Sequence, residues 1–281
     1  MQKFVIIPNI TKERSVEVTE KIIKLLISFG ATCYIDEKLS SFFENAVGYT
    51  EIPKDADIII VVGGDGSVID ASVKAVAYDL PIIGVNLGKL GYLSEVEPDK
   101  LINLKRLLCG DYRTEERMLL CVKKGEEISG FFDRHAINDI IISHESFLGI
   151  GDITLETKKG ESFTYRADGL ILSTPIGSTA YSLSAGGPII SHDVDSILLT
   201  PICPHSFFNR SIVFSPKEIL KITNKGADKL NISVDGRLVS DLKPGEFCQV
   251  SVSSKRLKMI TFSDNIMIST LFEKMNKTEH I

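Results

Sequence analysis

Three glycines around one acid, Gly63-Gly64-Asp65-Gly66, stand between an apolar run ending at Val62 and a run with helical periodicity through Val68, Ala71, Ser72, Ala75 and Val76. Bare backbone N–H groups and the positive end of a helix make a natural anion site. Gly63 and Gly64 allow close approach to the backbone, and Gly66 can take a positive φ that other residues avoid. Asp65 would repel a phosphate, so its target should be a hydroxyl or a metal. A carboxylate that orients and deprotonates an alcohol, beside N–H groups that hold a phosphate, is the equipment for phosphoryl transfer to a hydroxyl. That chemistry depends on positioning and charge stabilisation more than on base strength. The pattern is neither G-x-G-x-x-G nor the Walker lysine loop, and Gly88-Lys89-Leu90 lacks the Walker Ser/Thr.

A second stretch runs from Arg166-Ala-Asp168-Gly169 through Ser173-Thr-Pro-Ile-Gly-Ser-Thr-Ala-Tyr-Ser-Leu-Ser-Ala-Gly-Gly-Pro188. Small side chains leave space there. The hydroxyls of Ser178, Thr179, Ser182 and Ser184 supply directional hydrogen bonds, and Tyr181 offers a flat face for stacking. The five histidines, His135, His144, His192, His205 and His280, have no metal-ligand spacing, and no G-x-S-x-G elbow is present.

The elements that must position these residues follow from periodicity. Lys3–Pro8 reads as a buried strand, Thr32–Asp36 as a short one, Asp57–Val62 as an apolar strand suited to a parallel sheet covered on both faces, and Pro81–Val85 as another strand. Val18, Ile22, Leu25, Leu26 and Phe29 mark a helix stopped by Gly30, and Val68–Val76 marks a second. This alternation predicts a doubly wound α/β domain over residues 1–110, with the ligand beyond the strand C-termini where the glycine loop falls. From residue 111 to 263 the sequence changes to short strand-like runs separated by turn signals such as Asp235-Gly236 and Lys243-Pro244-Gly245. Those runs are Leu119–Lys123, Ile137–Ser143, Ile153–Lys158, Gly169–Ser173, Ser211–Phe214, Ile219–Thr223, Asn231–Val234, Cys248–Val252 and Lys258–Phe262. They predict a β-rich, sandwich-like second domain. Residues 264–281 carry a helical face, Ile268, Leu271, Phe272 and Met275, expected to return to the first domain.

Composition narrows the function. The chain has 281 residues and a formal net charge of -5, with its Lys and Arg scattered, which argues against a nucleic-acid partner. Five cysteines, odd in number and never in a CxxC, suit a reduced, cytoplasmic thiol set rather than a disulfide framework. No apolar run reaches membrane-spanning length, so no membrane partner is expected.

Gly63-Gly64-Asp65-Gly66, Asn86–Glu95, Asn138-Asp139, Asp168–Pro188 and Val234-Asp-Gly236, in that order, closely resemble the NAD kinase family. GGDG alone is shared with lipid and sugar kinases; the Ser-Thr-Ala-Tyr stretch is far more specific. The resemblance implies transfer of the γ-phosphoryl of ATP, with a divalent cation (Mg2+ or Mn2+), to the 2′-hydroxyl of the adenosine ribose of NAD. It implies Asp65 as the base and Gly64, Gly66 and Ser67 along the phosphates. It implies Tyr92 near adenine and Asn138 and Asp139 at the ribose. Asp168, Thr179, Ala180, Tyr181 and Ser184 would line the dinucleotide pocket, with Arg166, Arg210 and Asp235 as further carry-overs that structural ion pairs explain equally well. A homo-oligomer, dimer or tetramer, is also implied. The chain has Asp139 where the family usually has Glu, and Ile176 where Thr is common. The alternatives are a lipid or sugar kinase sharing GGDG, or a non-catalytic NAD-binding sensor.

Overall fold

Every residue of Ile58–Gly63 is buried, as a strand covered on both faces must be. The structure, a computed structural model, describes residues 1–88, 91–125, 135–144, 151–205 and 209–262. The helical tail expected over 264–281 lies outside the described residues. Two compact units are formed, Met1–Glu116 with the described residues from Leu257 onward, and Arg117–Arg256.

The first unit contains β1 (Lys3–Pro8), α1 (Ser15–Ser28), β2 (Thr32–Asp36), β3 (Val47–Tyr49), β4 (Ile58–Gly63), α2 (Asp65–Tyr78), β5 (Ile82–Asn86) and α3 (Lys105–Leu108). Its strands lie in the order β3-β2-β1-β4-β5, all parallel. Val18, Ile22, Ile23 and Leu26 of α1 pack with Phe4, Ile6, Ile58, Ile60 and Val62 of the sheet in one core. The chain winds outward from β1 to β3 and returns to start again at β4. The order therefore reverses between β1 and β4, the position where open α/β sheets bind ligands. Two loops meet at that point. Asn9, just past β1, donates its N–H to Val62 O at 2.8 Å, and its Nδ2 donates to the Ser67 hydroxyl at 2.9 Å.

The polar interval after β2 holds a 3-10 helix, Glu37–Phe42, and the three-residue edge strand β3. Two of the three residues in β3 are exposed, so no buried alternation exists to announce it.

The second unit begins within β6 (Arg113–Lys124) and continues through β7 (His135–Ala136), β8 (Asp139–His144), β9 (Gly151–Glu156), β10 (Ser162–Ala167) and β11 (Gly169–Ser173). After the short helix α4 (Tyr181–Ser184) come β12 (Ile197–Ile202), β13 (Ile212–Phe214), β14 (Ile219–Asn224), β15 (Leu230–Val234), β16 (Arg237–Leu242) and β17 (Phe247–Thr261). One antiparallel sheet runs β13-β12-β11-β8-β15-β16; β10, β9, β14 and the first part of β17 form a second antiparallel ladder. Alternate residues of both, among them Ile140, Ile142, Leu155, Leu170, Leu172, Ile222, Ile232 and Val250, meet in one core. A β-rich sandwich-like unit was expected and is found. Cys248–Val252 and Lys258–Phe262, which read as two strands, belong almost entirely to the single strand β17. Its last stretch lies in the first unit, where Met259 pairs in parallel with Ile82 of β5.

Candidate active site

Asp65 stands in the first turn of α2, a 14-residue helix that starts two residues after β4 ends. Its Oδ2 accepts the N–H of Tyr92 at 2.8 Å and its Oδ1 the N–H of Leu93 at 3.1 Å. A Cβ on Gly91 would overlap that carboxylate. Glycine is therefore required at 91, and Asp65 and the segment Gly91–Leu93 hold each other in place. The Tyr92 hydroxyl has its pKa raised by burial and by the Asp65 charge, which sets that half-buried aromatic beside the acid.

Around Asp65 the glycines divide their work. Gly64 is extended, with φ -136°. Gly63 has no room for a side chain, because a Cβ would strike Ser67 Oγ. The positive φ open to Gly66 is not used: Gly66 is helical, and its missing side chain leaves open space. Its N–H, in the first turn, has no intrahelical acceptor. The Ser67 hydroxyl accepts from Asn9 Nδ2 at 2.9 Å and from Gly64 N–H at 3.4 Å, so it braces the loop as well as facing it.

The second unit gathers another group at one end of three antiparallel strands. Ser173 of β11 is opposite Asp139 of β8, and Val234 of β15 is opposite Ile140. Asn138, Asp139, Thr174 and Asp235 therefore meet at the same edge. Asp235, at φ 47° in the tight turn with Gly236, accepts the N–H groups of Ile137, Asn138 and Asp139 at 2.9, 2.8 and 3.1 Å. Thr174 donates its N–H to Asn138 O at 2.9 Å and its hydroxyl to Ile137 O. A Cβ on Gly177 would overlap the Asn138 carbonyl. Neither Thr174 nor Gly177 was expected at the site, and both are legible only once β8 and β11 are paired.

Asp139 is 4% exposed. Burial, and then the charge of Asp235, push its pKa up to about 7. Asp235 is also raised by burial, against the pull of its three N–H donors. Asp139 is thus suited to hydrogen-bond a hydroxyl, donating or accepting according to pH. The sign of the stability effect follows. Folded Asp139 holds its proton where the unfolded group, near 3.8, has lost it, so folding stability falls as pH rises from about 4 to about 7. Asp139→Asn is expected to be more stable than the parent above pH 7, by about 1–4 kcal/mol, with the gap closing below pH 4. Urea unfolding across pH 3.5–8 measures this, and a gap independent of pH would refute it.

In the hydroxyl-rich loop some residues turn in and others out. Ser178 and Ser182 are fully buried. Ser178 Oγ accepts the Ile190 N–H at 3.0 Å, and Ser182 Oγ bonds Thr200 Oγ1 at 2.8 Å. These hydroxyls fasten the loop. Ser184 and Tyr181 are exposed, Tyr181 by 44%, and Thr179 and Ala180 are half-buried; Thr179 bonds back to Ile176 O at 3.0 Å. Ile176 is 5% exposed, so its methyls pack where a hydroxyl would need a partner.

Arg166 and Asp168 are not brought to this edge. Asp168 precedes Gly169, which pairs with Ser143 at the opposite end of β8. Arg166 lies exposed on β10 and Arg210 is exposed before β13. Burial holds the His192 pKa near 4, keeping it neutral. Among the described residues no three His, Cys, Asp or Glu side chains gather to hold a metal ion.

Residues 4–112 match the family described as the ATP-NAD kinase N-terminal domain, and residues 137–262 the ATP-NAD kinase C-terminal domain. An NAD kinase of Thermoanaerobacter sp. (strain X514) is 35% identical over 99% of this chain and 100% of its own length. One from Lachnospira eligens is 39% identical over 95% of this chain and 94% of its own. Among solved structures, yeast NADH kinase complexed with NADH superposes with a TM-score of 0.82 at 24% identity, covering 94% of this chain and 84% of that one. An Archaeoglobus fulgidus NAD kinase in complex with ATP gives 0.74 at 22% identity, covering 98% and 99%.

Proposed function

This chain belongs to the ATP-NAD kinase family, and on that footing we propose that it phosphorylates the 2′-hydroxyl of the adenosine ribose of NAD, using ATP, to give NADP. The observation that carries the reading is the Asp65 carboxylate, held by the Tyr92 and Leu93 N–H groups in the first turn of α2. In the step proposed, the ribose oxygen bonds to the γ-phosphorus and passes its proton to Asp65. The bond from that phosphorus to the bridging oxygen breaks, and its electron pair leaves with ADP. The N–H groups about Gly64 and Gly66 carry the phosphate charge. Asn138 and Asp139 take the ribose hydroxyls, while Thr179, Ala180, Tyr181 and Ser184 line the dinucleotide. Asp235 acts at one remove, by fixing the backbone of 137–139.

A divalent cation, Mg2+ or Mn2+, would supply charge neutralisation to the triphosphate; among the described residues no cluster of acidic, His or Cys side chains would hold it, so phosphate oxygens and water would be its main ligands. Incubation with ATP, NAD and magnesium, read by an NADP-dependent dehydrogenase, tests the reading. ATP consumption with a lipid or sugar but not with NAD, or NAD binding without turnover, would replace it.

The exposed ring of Tyr181 supports stacking on a planar part of NAD. Tyr181→Ala is expected to weaken NAD binding by about 1–3 kcal/mol, roughly 5–150-fold in Kd, with the KM for ATP little changed. Calorimetric titration decides this; unchanged affinity would make Tyr181 an ordinary surface residue.

The reading includes a homo-oligomer, dimer or tetramer, in the cytoplasm. No described helix is long and apolar enough to cross a membrane, and burial pushes the Cys33 and Cys248 thiols up to about 12, keeping both unreactive. Asp168 stands beyond β11, at the end away from Asn138, and the strand is about 13 Å long. A pocket that uses both residues is most simply completed by a second copy. Light scattering at micromolar concentration should give a mass at least twice 31.0 kDa; monomer alone would sink the oligomer.

A further inference from the structure

We propose that Lys12, a residue outside every motif of the chain, is the cation that holds the donor's phosphates over the glycine loop. Lys12 sits in the turn between β1 and α1, where its N–H donates to Asn9 O at 3.0 Å and its carbonyl accepts the Ser15 N–H at 3.2 Å. The turn is tied to the glycine loop through Asn9, whose N–H reaches Val62 O and whose amide reaches Ser67. The Lys12 ammonium comes within 2.5 Å of the place where a Cβ on Gly64 would stand. It is exposed, and among the described residues it has no carboxylate partner. Among the described residues no other lysine or arginine comes within 4 Å of the vacant Cβ position at Gly64 or Gly66.

The backbone makes this placement deliberate in physical terms. β1 and β4 are the two strands that flank the reversal of strand order, so their following loops converge where an anion is expected. The first-turn N–H groups of α2 offer partial positive charge, but Asp65 adds a full negative one in that same turn. Beside that carboxylate, a cation from the protein adds to the charge compensation that a divalent ion brings with the triphosphate. A lysine supplies it as a mobile point charge that follows the phosphates through transfer.

This inference rests on the phosphoryl-transfer reading, and the test keeps the two apart. Lys12→Met retains much of the stem and removes the charge. Its KM for ATP is expected to rise, and its kcat/KM for ATP to fall, by about 10–100-fold, the range for losing one hydrogen bond to a charged group. The Kd for NAD and the thermal midpoint should stay at parent values, and Lys12→Arg should restore most of the loss. Parental ATP kinetics in Lys12→Met, or equal losses in the Met and Arg variants, would overturn the role of Lys12. A parent protein that forms no NADP would instead overturn the underlying reading.

Discussion

Turnover of the Asp65→Asn variant is expected to fall by about 10²–10⁴-fold, the usual contribution of a positioned base. The negative charge that takes the ribose proton disappears, while shape and size remain. The KM for NAD should move far less than kcat, as for an interaction made in the transition state. The geometry adds a second, smaller effect. The carboxylate presents one oxygen to Tyr92 N–H and the other to Leu93 N–H. An amide has only one acceptor oxygen, so one of those donors must face an NH2 group. Stability should drop by about 1–3 kcal/mol, visible in the thermal midpoint. Stopped assays at saturating ATP and NAD, paired with NAD titration, separate the effects. Near-parental turnover would leave Asp65 as a brace for residues 91–93 and nothing more.

Asp235→Ala is expected to cost the second unit about 3–9 kcal/mol and to abolish measurable NAD binding. Three N–H groups lose their acceptor together, and each buried donor left unpaired costs about 1–3 kcal/mol. Alanine is also strained at the positive φ of this turn, a conformation that Asp and Asn tolerate better. Asp235→Asn keeps that tolerance and one acceptor oxygen, so it should lose roughly half as much. Urea midpoints of the two variants give the ranking, and the same loss in both would mean that the N–H contacts carry little. An equivalent role could not have been assigned from sequence, because Asp235 is 96–98 residues away from the groups it holds.

Much of the fold was legible for a local reason. β1, β2 and β11 occupy the spans that their sequence patterns indicate: β11 is buried throughout, β1 nearly so, and β2 alternates buried with half-buried residues. Strands that the patterns did not reveal lack that signal or interrupt it. β10 exposes four of six residues, β16 is an edge strand with three polar residues and one buried position in six, and β12 carries Pro201 in a run that otherwise reads as buried. The break read between Val252 and Lys258 is likewise a polar stretch inside one continuous strand.

Local chemistry in the chain determined that a glycine loop with one acid follows a buried strand and opens a helix, and that hydroxyls crowd the loop after Ser173. These are facts of neighbouring residues, and period and residue type suffice for them. Tertiary structure alone decided what each group answers to. The pairing of β1 with β4 brought Asn9 to Ser67 and Lys12 over Gly64. The pairing of β8 with β11 and β15 put Asp235 under Asn138 and Asp139. It also turned Ser178 and Ser182 inward as fasteners while Tyr181 and Ser184 stayed outside. The reason is that a side chain's partner, and hence its charge state and its task, is set by which strands lie side by side, and register between distant strands is a property of the packed core rather than of any local run.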